Sequence, residues 1–424
     1  MRLEMSESVS SLLNRIIKFY LNSGDFNGLA FRPDAAEADI AEAIKLTKQG
    51  LIQVVTEDDY LNPHIRPWQS KRSIDEQVLS LALLNNAGEY GVACLYPTHK
   101  GMKGVRLPKR YSDRPYEKEL AKGTGVLELA YFTPDVLEFY RNDPRYHCRI
   151  GDFSVYMSVN NDAYGDVGEP EKDKVSLAHA GFAYDLSKFD KKDPASPIIR
   201  RLAVFVGDLA KLSPEHQQRW KTFQVNEAEV KPHPVWIANQ MGHWTDDIGA
   251  FQRFFIELKN INSLYQLAFS QDLFINTEKP DDMGWILRAS QKEWDEQIVL
   301  LDKLLSDNIR HEALNSAGVP RRDADGKDIG TIKRLQMLME MTKLDPELIQ
   351  STLKPFRDAR SARQKPAHAI RTNLSDKTFV HKQVALMSNI NHSLVGLRTW
   401  LSAHPNADGW ESEFDDSKLT NLIL

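Results

Sequence analysis

From Pro234 onward the chain repeats one pattern, a helix with a single apolar face, and that repetition constrains its fold more than any other feature. Phe251, Phe254, Phe255, Leu258, Ile261 and Tyr265 recur at the spacing of one helical face. Trp294, Ile298, Leu301 and Leu305 form a second face, with Ile286 and Leu287 a turn or two upstream. A polar linker, Gly318 to Gly330, leads to a third at Ile332, Leu335, Leu338 and Met339. Ile349, Leu353 and Phe356 give a fourth, entered at Asp345-Pro346-Glu347, and Leu386, Ile390, Leu394, Leu397 and Leu401 a long fifth. Each helix has one face to bury, so they must pack together as a bundle.

The regions before the bundle read differently. Leu13, Ile16, Ile17 and Tyr20 mark an amphipathic helix. Ala35–Gln49 is a second helix, with Asp34 at its cap and Gly50 as its stop, and Leu51–Thr56 is a strand. Helix, turn, helix, strand and polar loop is the order of a winged helix, a fold that often binds DNA. Yet Glu37, Asp39 and Glu42 share the second helix with Lys45 and Lys48, so it lacks the charge of a recognition helix and favours a scaffold or interaction domain. The basic loop His99–Arg114, beside Tyr111 and Tyr116, has residues to touch a polyanion; a solvated loop explains it as well. Further on, Tyr131–Tyr140 reads as a helix capped at Thr133-Pro134. Arg149–Val159, Leu177–Tyr184 and Ile199–Val206 are strand-like, Asn160–Lys174 is a polar loop, and Ser213-Pro214-Glu215 opens another helix. The expected fold class is an α+β multidomain chain: residues 1–125 a small mixed domain of winged-helix-like order, 126–233 an α+β middle domain, and 234–424 an all-α bundle with an acidic tail.

A net charge of −5 over 424 residues announces no nucleic-acid binding, so any such site must be a local patch. Cys94 and Cys148 are the only cysteines, too few for a zinc ribbon, and read as reduced core residues. No run approaches the roughly 18 apolar residues of a membrane span. The apolar stretch Leu12–Leu21 is broken by Asn14, Arg15 and Lys18, unlike a signal peptide, so the expected location is the cytoplasm. No phosphate-binding Gly loop or nucleophile elbow occurs in the middle region, and no cofactor is expected.

Candidate chemistry lies where the fourth bundle helix ends. Its apolar face continues from Phe356 to Arg360 and Arg363. Lys365 precedes Pro366, and a residue before proline is biased away from helical geometry. The helix is therefore expected to stop there, with Pro366 opening a short turn that brings His368 back toward Arg363. Arginine offers a planar fork suited to phosphate, and histidine moves a proton near neutral pH. Together they are a minimal kit for cleaving an RNA phosphodiester without a metal. Spacing alone decides nothing, because Arg141/His147 and Arg398/His404 fit the same loose pattern. Only Arg363/His368 joins two bundle helices; a polar residue, Gln364, stands straight after its arginine. His381 and His392 are too far apart on their helix for metal ligands, and His233 and His243 have no carboxylate pattern beside them.

Arg363-Gln364-Lys365-Pro366-Ala367-His368, with the two helices it joins, resembles the HEPN superfamily (higher eukaryotes and prokaryotes nucleotide-binding). The signature of that family is an arginine, often a polar residue, then a histidine after four to six positions. Its abortive-infection branch commonly has Arg-Asn-Lys, a spacer and Ala-His, and Gln364 stands here where asparagine is usual. The resemblance covers Asp246–His404 at most. It implies a metal-independent endoribonuclease of antiphage defence or a toxin system, dimerised through the C-terminal bundle so that two Arg–His pairs line one cleft. His368 would then exchange a proton with the ribose 2′-hydroxyl or the leaving oxygen, and Arg363 would stabilise transition-state charge. Arg357, Arg360, Gln364, Lys365 and Arg371 would hold the RNA, the cations supplying phosphate affinity. A phage-derived trigger or an antitoxin would be the regulatory partner, sensed by the N-terminal regions. The acidic run Glu411, Glu413, Asp415 and Asp416 reads as solvated, or as a shield over the basic cleft at rest. The competing expectations are a non-catalytic nucleic-acid-binding or regulatory protein with a degenerate bundle, and a purely structural bundle.

Overall fold

The structure, a computed structural model, describes residues 11–86, 91–190, 192–193, 196–368 and 372–412, with the backbone alone at 176, 178, 179 and 365–368. Among the described residues it is a mixed α+β chain of fourteen α-helices and two antiparallel sheets. First, α1 (Ser11–Asn22), α2 (Glu37–Lys48) and α3 (Ile74–Ala82) pack around β1 (Leu29–Phe31), β2 (Ile52–Thr56) and β3 (Ala93–Pro97), in sheet order β1-β3-β2. Leu13, Ile16, Ile17 and Tyr20 of α1 are buried as their spacing predicts. The element order departs from a winged helix. A strand separates α1 from α2, and residues 57–92, with α3 among them, join the two strands that a wing would link by a hairpin. Ala36, not Asp34, stands at the cap of α2, whereas Gly50 does end it, with φ at 67°. Tyr111 and Tyr116 are buried, so the basic loop has neither ring to offer a polyanion.

The middle unit comprises α4 (Pro115–Ala121), β4 (Leu129–Phe132), α5 (Leu137–Asn142), β5 (Tyr146–Ile150), β6 (Ser154–Val159), β7 (Ser176–Asp185), β8 (Ile199–Phe205), α6 (Val206–Ala210), α7 (Pro214–Thr222), β9 (Gln224–Val225) and β10 (Val230–Pro232). Its strands run β5-β6-β7-β8-β4-β9, with β10 also paired to β7. Tyr131 and Phe132 are strand rather than helix, because they ladder with Ala203 and Leu202 of β8. Residues 149–159 are not one strand but most of a hairpin, turned between Ile150 and Ser154. The Gly151 amide donates to the Ser154 carbonyl and closes the turn locally, and the turn is also tied to the bundle. Asp152 accepts hydrogen bonds from the Phe251 and Gln252 amides, capping a bundle helix. Burial pushes the Asp152 carboxyl above the usual carboxylate range, against the pull of those bonds.

The bundle follows: α8 (Pro234–Gln240), α9 (Ala250–Phe269), α10 (Gln291–Asp302) and a π-helical turn (Lys303–Asp307), then α11 (His311–Ser316), α12 (Thr331–Met341), α13 (Pro346–His368) and α14 (Thr378–Ser402). Ile286 and Leu287 lie in the connection before α10 instead of on its face. The Ile286 amide donates to Gln383 and the Leu287 amide to Glu293. Asp345 caps α13 through the Glu347 and Leu348 amides. Gly396 lets α13 and α14 cross closely, since a Cβ there would sit 3.0 Å from Thr352 Oγ1. Contrary to expectation, α13 does not stop at Lys365 but runs through Pro366 to His368. Proline removes the donor for the Ala362 carbonyl, and that residue lies on a half-exposed turn where water can serve it. One hydrophobic core runs from Leu12 in α1 to Ala407 beyond α14. Among the described residues no helix is long and apolar enough to cross a membrane.

Candidate functional site

Two adjacent stripes of α13 carry the site. One runs Leu353, Phe356, Arg360, Arg363 and faces α10. There it meets Asp302, the last residue of α10 and fully buried. Arg363 Nη1 donates to Asp302 Oδ2 at 2.6 Å and to Asp307 Oδ2 at 3.0 Å. Arg360 Nη1 donates to Ser306 Oγ at 2.7 Å and lies 3.6 Å from both carboxylates. Ser306 in turn donates to Asp302 Oδ1 at 2.6 Å. Five residues make one i→i+5 turn of a π-helix, which sets Asp307 alongside Asp302, where a regular α-helix would point it elsewhere. A buried carboxylate is costly unless paired, so Asp302 requires a cation from α13. The bonds to Asp302 and Asp307 push the Arg363 guanidinium further above its ordinary range, keeping it charged.

The second stripe, Arg357, Ser361 and Gln364 with Arg360 at its edge, faces α12 across a groove of about 370 Å³. Residues 330–333 and Gln336 form the opposite wall. Lys333, Arg357 and Arg360 give this groove three cations, and among the described residues no carboxylate lines it. Arg357 donates to two neutral amides, Gln350 Oε1 at 2.7 Å and Gln336 Oε1 at 3.1 Å. Thr331 Oγ1 donates to the Ser306 carbonyl at 2.7 Å, which ties the groove wall to the π-turn.

With α13 continuous through Pro366, no turn of the backbone brings position 368 back toward position 363. In a continuous helix those positions differ by about 140° around the axis and about 7.5 Å along it. Position 368 instead continues the second stripe, one turn beyond Gln364. Lys365 is helical in backbone, whereas Arg371, Glu413, Asp415 and Asp416 lie outside the described residues. The two other Arg–His matches are explained by packing. Arg398 Nε sits 2.8 Å from the buried Glu257, and Arg141 lies 3.8 Å from Glu138 and 3.9 Å from the buried Glu293. His404 caps the turn after α14 through the Asn406 amide, and His381 faces the Ser196 carbonyl. Among the described residues no three His, Cys, Asp or Glu are placed to hold a metal ion.

The sequence reading missed Asp302, Ser306 and Asp307. One signal was present: Asp302 interrupts an apolar face between Ile298, Leu301 and Leu305, as Glu257 does beside Leu258 and Ile261. An acid inside such a stripe demands a cation from a neighbouring helix. Compared with protein-family models, with curated proteins and with solved structures, the chain matches none.

Proposed function

We propose that the chain is a metal-independent endoribonuclease of HEPN type, with Arg363 and His368 from two copies of the bundle forming one centre. The observation that carries this is a groove lined by no acid among the described residues, whose α13 stripe leads in one further turn to position 368, while the adjacent stripe holds the Arg363 guanidinium in its charged state. Arg363 serves both acids through Nη1, which leaves its other donors for a phosphate oxygen. In the reaction, one His368 takes the proton of the 2′-hydroxyl, and that oxygen attacks the adjacent phosphorus. The 5′-oxygen leaves with a proton from the second copy's His368, and a 2′,3′-cyclic phosphate remains. Positions 363 and 368 differ by about 140° around α13, so in this reading a homodimer through the bundle supplies both residues to one phosphate. The role is that of an antiphage-defence or toxin effector, with the N-terminal units sensing a trigger or an antitoxin.

Incubating the purified chain with labelled RNA in EDTA tests this reading. The expected result is cyclic-phosphate ends, a dimer by light scattering, and a loss of cleavage of at least about 100-fold in His368→Ala. Cleavage that requires added metal, or survives His368→Ala, overturns it. A second reading, a non-catalytic nucleic-acid-binding protein, is favoured by the acids that already engage Arg360 and Arg363. It predicts RNA binding without cleavage, unchanged in His368→Ala.

A further inference from the structure

The charge of the α12–α13 groove sets it apart from two others. A groove of about 580 Å³ at the seam between the middle sheet and the bundle holds Asp282, Glu293, Asp295 and Glu296 against Arg141 and Lys303. One of about 550 Å³ beside the β5–β6 hairpin holds Asp152 and Glu278 among its cations. Among the described residues the only charges lining the α12–α13 groove are cations, in a chain whose net charge is −5. Two of those charges are uncompensated. Lys333 is exposed and has no ion pair among the described residues, and Arg357 is bonded to the neutral side chains of Gln336 and Gln350. Arg360 is different, since it shares the charges of Asp302 and Asp307. The polar side chains of Thr331, Ser361 and Gln364 line the same space.

We propose that this groove is a subsite for single-stranded RNA in which Lys333 and Arg357 hold a backbone phosphate away from the reacting one. This rests on the ribonuclease reading for the position of the reacting centre. Arg357 and position 368 are about 16 Å apart along α13, more than a single nucleotide step. The subsite therefore governs strand binding and leaves the chemical step alone. Lys333 contributes a compact point charge and Arg357 a planar fork, so the pair recognises phosphate without reading sequence. Ser361 and Gln364 bond the sugar or phosphate of the nucleotides between.

Fluorescence anisotropy of the full chain with a labelled 2′-O-methyl oligoribonucleotide, which cannot be cleaved, tests the subsite apart from catalysis. Lys333→Gln/Arg357→Gln is expected to weaken binding at least about tenfold and to flatten the salt dependence by about 0.7 log units per log unit of salt, for the one phosphate that the pair holds. Lys354→Gln removes an exposed α13 cation that pairs with Asp358 outside the groove, and should leave binding unchanged. On a cleavable strand the double variant should raise KM and spare kcat. No binding by the wild type, equal affinity in the double variant, or the same loss in Lys354→Gln overturns the subsite. Displacement of the oligonucleotide by polyglutamate at equal charge overturns RNA as its ligand. Binding that depends on Lys333 and Arg357 without any cleavage leaves the subsite standing and removes the ribonuclease reading.

Discussion

Arg398 with Glu257, and Arg363 with Asp302, are the same two chemical groups in different solvent settings. In each, an acid on the apolar face of one bundle helix, its side chain 0% exposed, is met by an arginine from another helix. The first pair is closed. The Arg398 side chain is 13% exposed, and Arg253 approaches the same Glu257 carboxylate from 3.7 Å on α9. The second is open. The Arg363 side chain is 31% exposed and a second acid, Asp307, is half in water. An arginine–carboxylate pair is thus no evidence of function by itself. A closed pair holds helices in register, while an open one fixes a guanidinium and still shows part of it to solvent. Arg363 stands apart from Arg398 by that exposure and by the groove on the neighbouring stripe, which no acid lines among the described residues.

Breaking the closed pair should have the largest effect on stability. Arg398→Met strips Glu257 of its nearest cation, and removing one partner of a buried pair costs about 3–5 kcal/mol. Urea unfolding should show that loss, with RNA affinity per folded molecule unchanged. A cost below about 1 kcal/mol would mean that water reaches Glu257 and that the two sites are alike.

Arg363→Met should invert that ratio. Asp302 keeps the Ser306 hydroxyl and the nearby Arg360, so unfolding should cost less, about 1–3 kcal/mol. Cleavage should fall by at least about 100-fold, the scale of losing a transition-state donor. Measuring unfolding and turnover on one preparation separates the two. Lost stability with intact cleavage would place Arg363 with Arg398, as packing.

The same contrast explains what could be read from the chain. The bundle faces were legible because helical burial repeats along the sequence, as at Phe251, Phe254, Leu258 and Ile261. The cationic end of α13 was legible for the same reason. Its partners were not: Asp302 is 61 residues from Arg363 in sequence, and no local pattern announces which helix faces which. Ile286 and Leu287 misled because a buried irregular segment, held by Gln383 and Glu293, has no less apolar a composition than a helix face. Pro366 misled because the residue preference before a proline is a local bias. The helix is continuous through it and is anchored upstream by packed Leu353, Phe356 and Ala359. The docking of the β5–β6 turn on the bundle could not be read either, because Asp152 caps a helix about 100 positions away.

The smallest effect should come from Asp307. Its side chain is 50% exposed, so Asp307→Asn should change stability by less than about 1 kcal/mol. Its effect on binding should be visible nonetheless, because the carboxylate competes with phosphate for Arg363 and lies 3.6 Å from Arg360. Removing that charge leaves Asp302 to position the guanidinium and frees more of its field for an anion. The non-cleavable oligoribonucleotide should bind two- to fivefold tighter, an expectation of order RT, with the gain shrinking as salt rises. In Arg363→Met/Asp307→Asn the gain should fall to what Arg360 alone provides. Weaker binding in Asp307→Asn would instead make this carboxylate the residue that orients Arg363, leaving the buried Asp302 with a role in packing alone and erasing the difference between the open pair and the closed one.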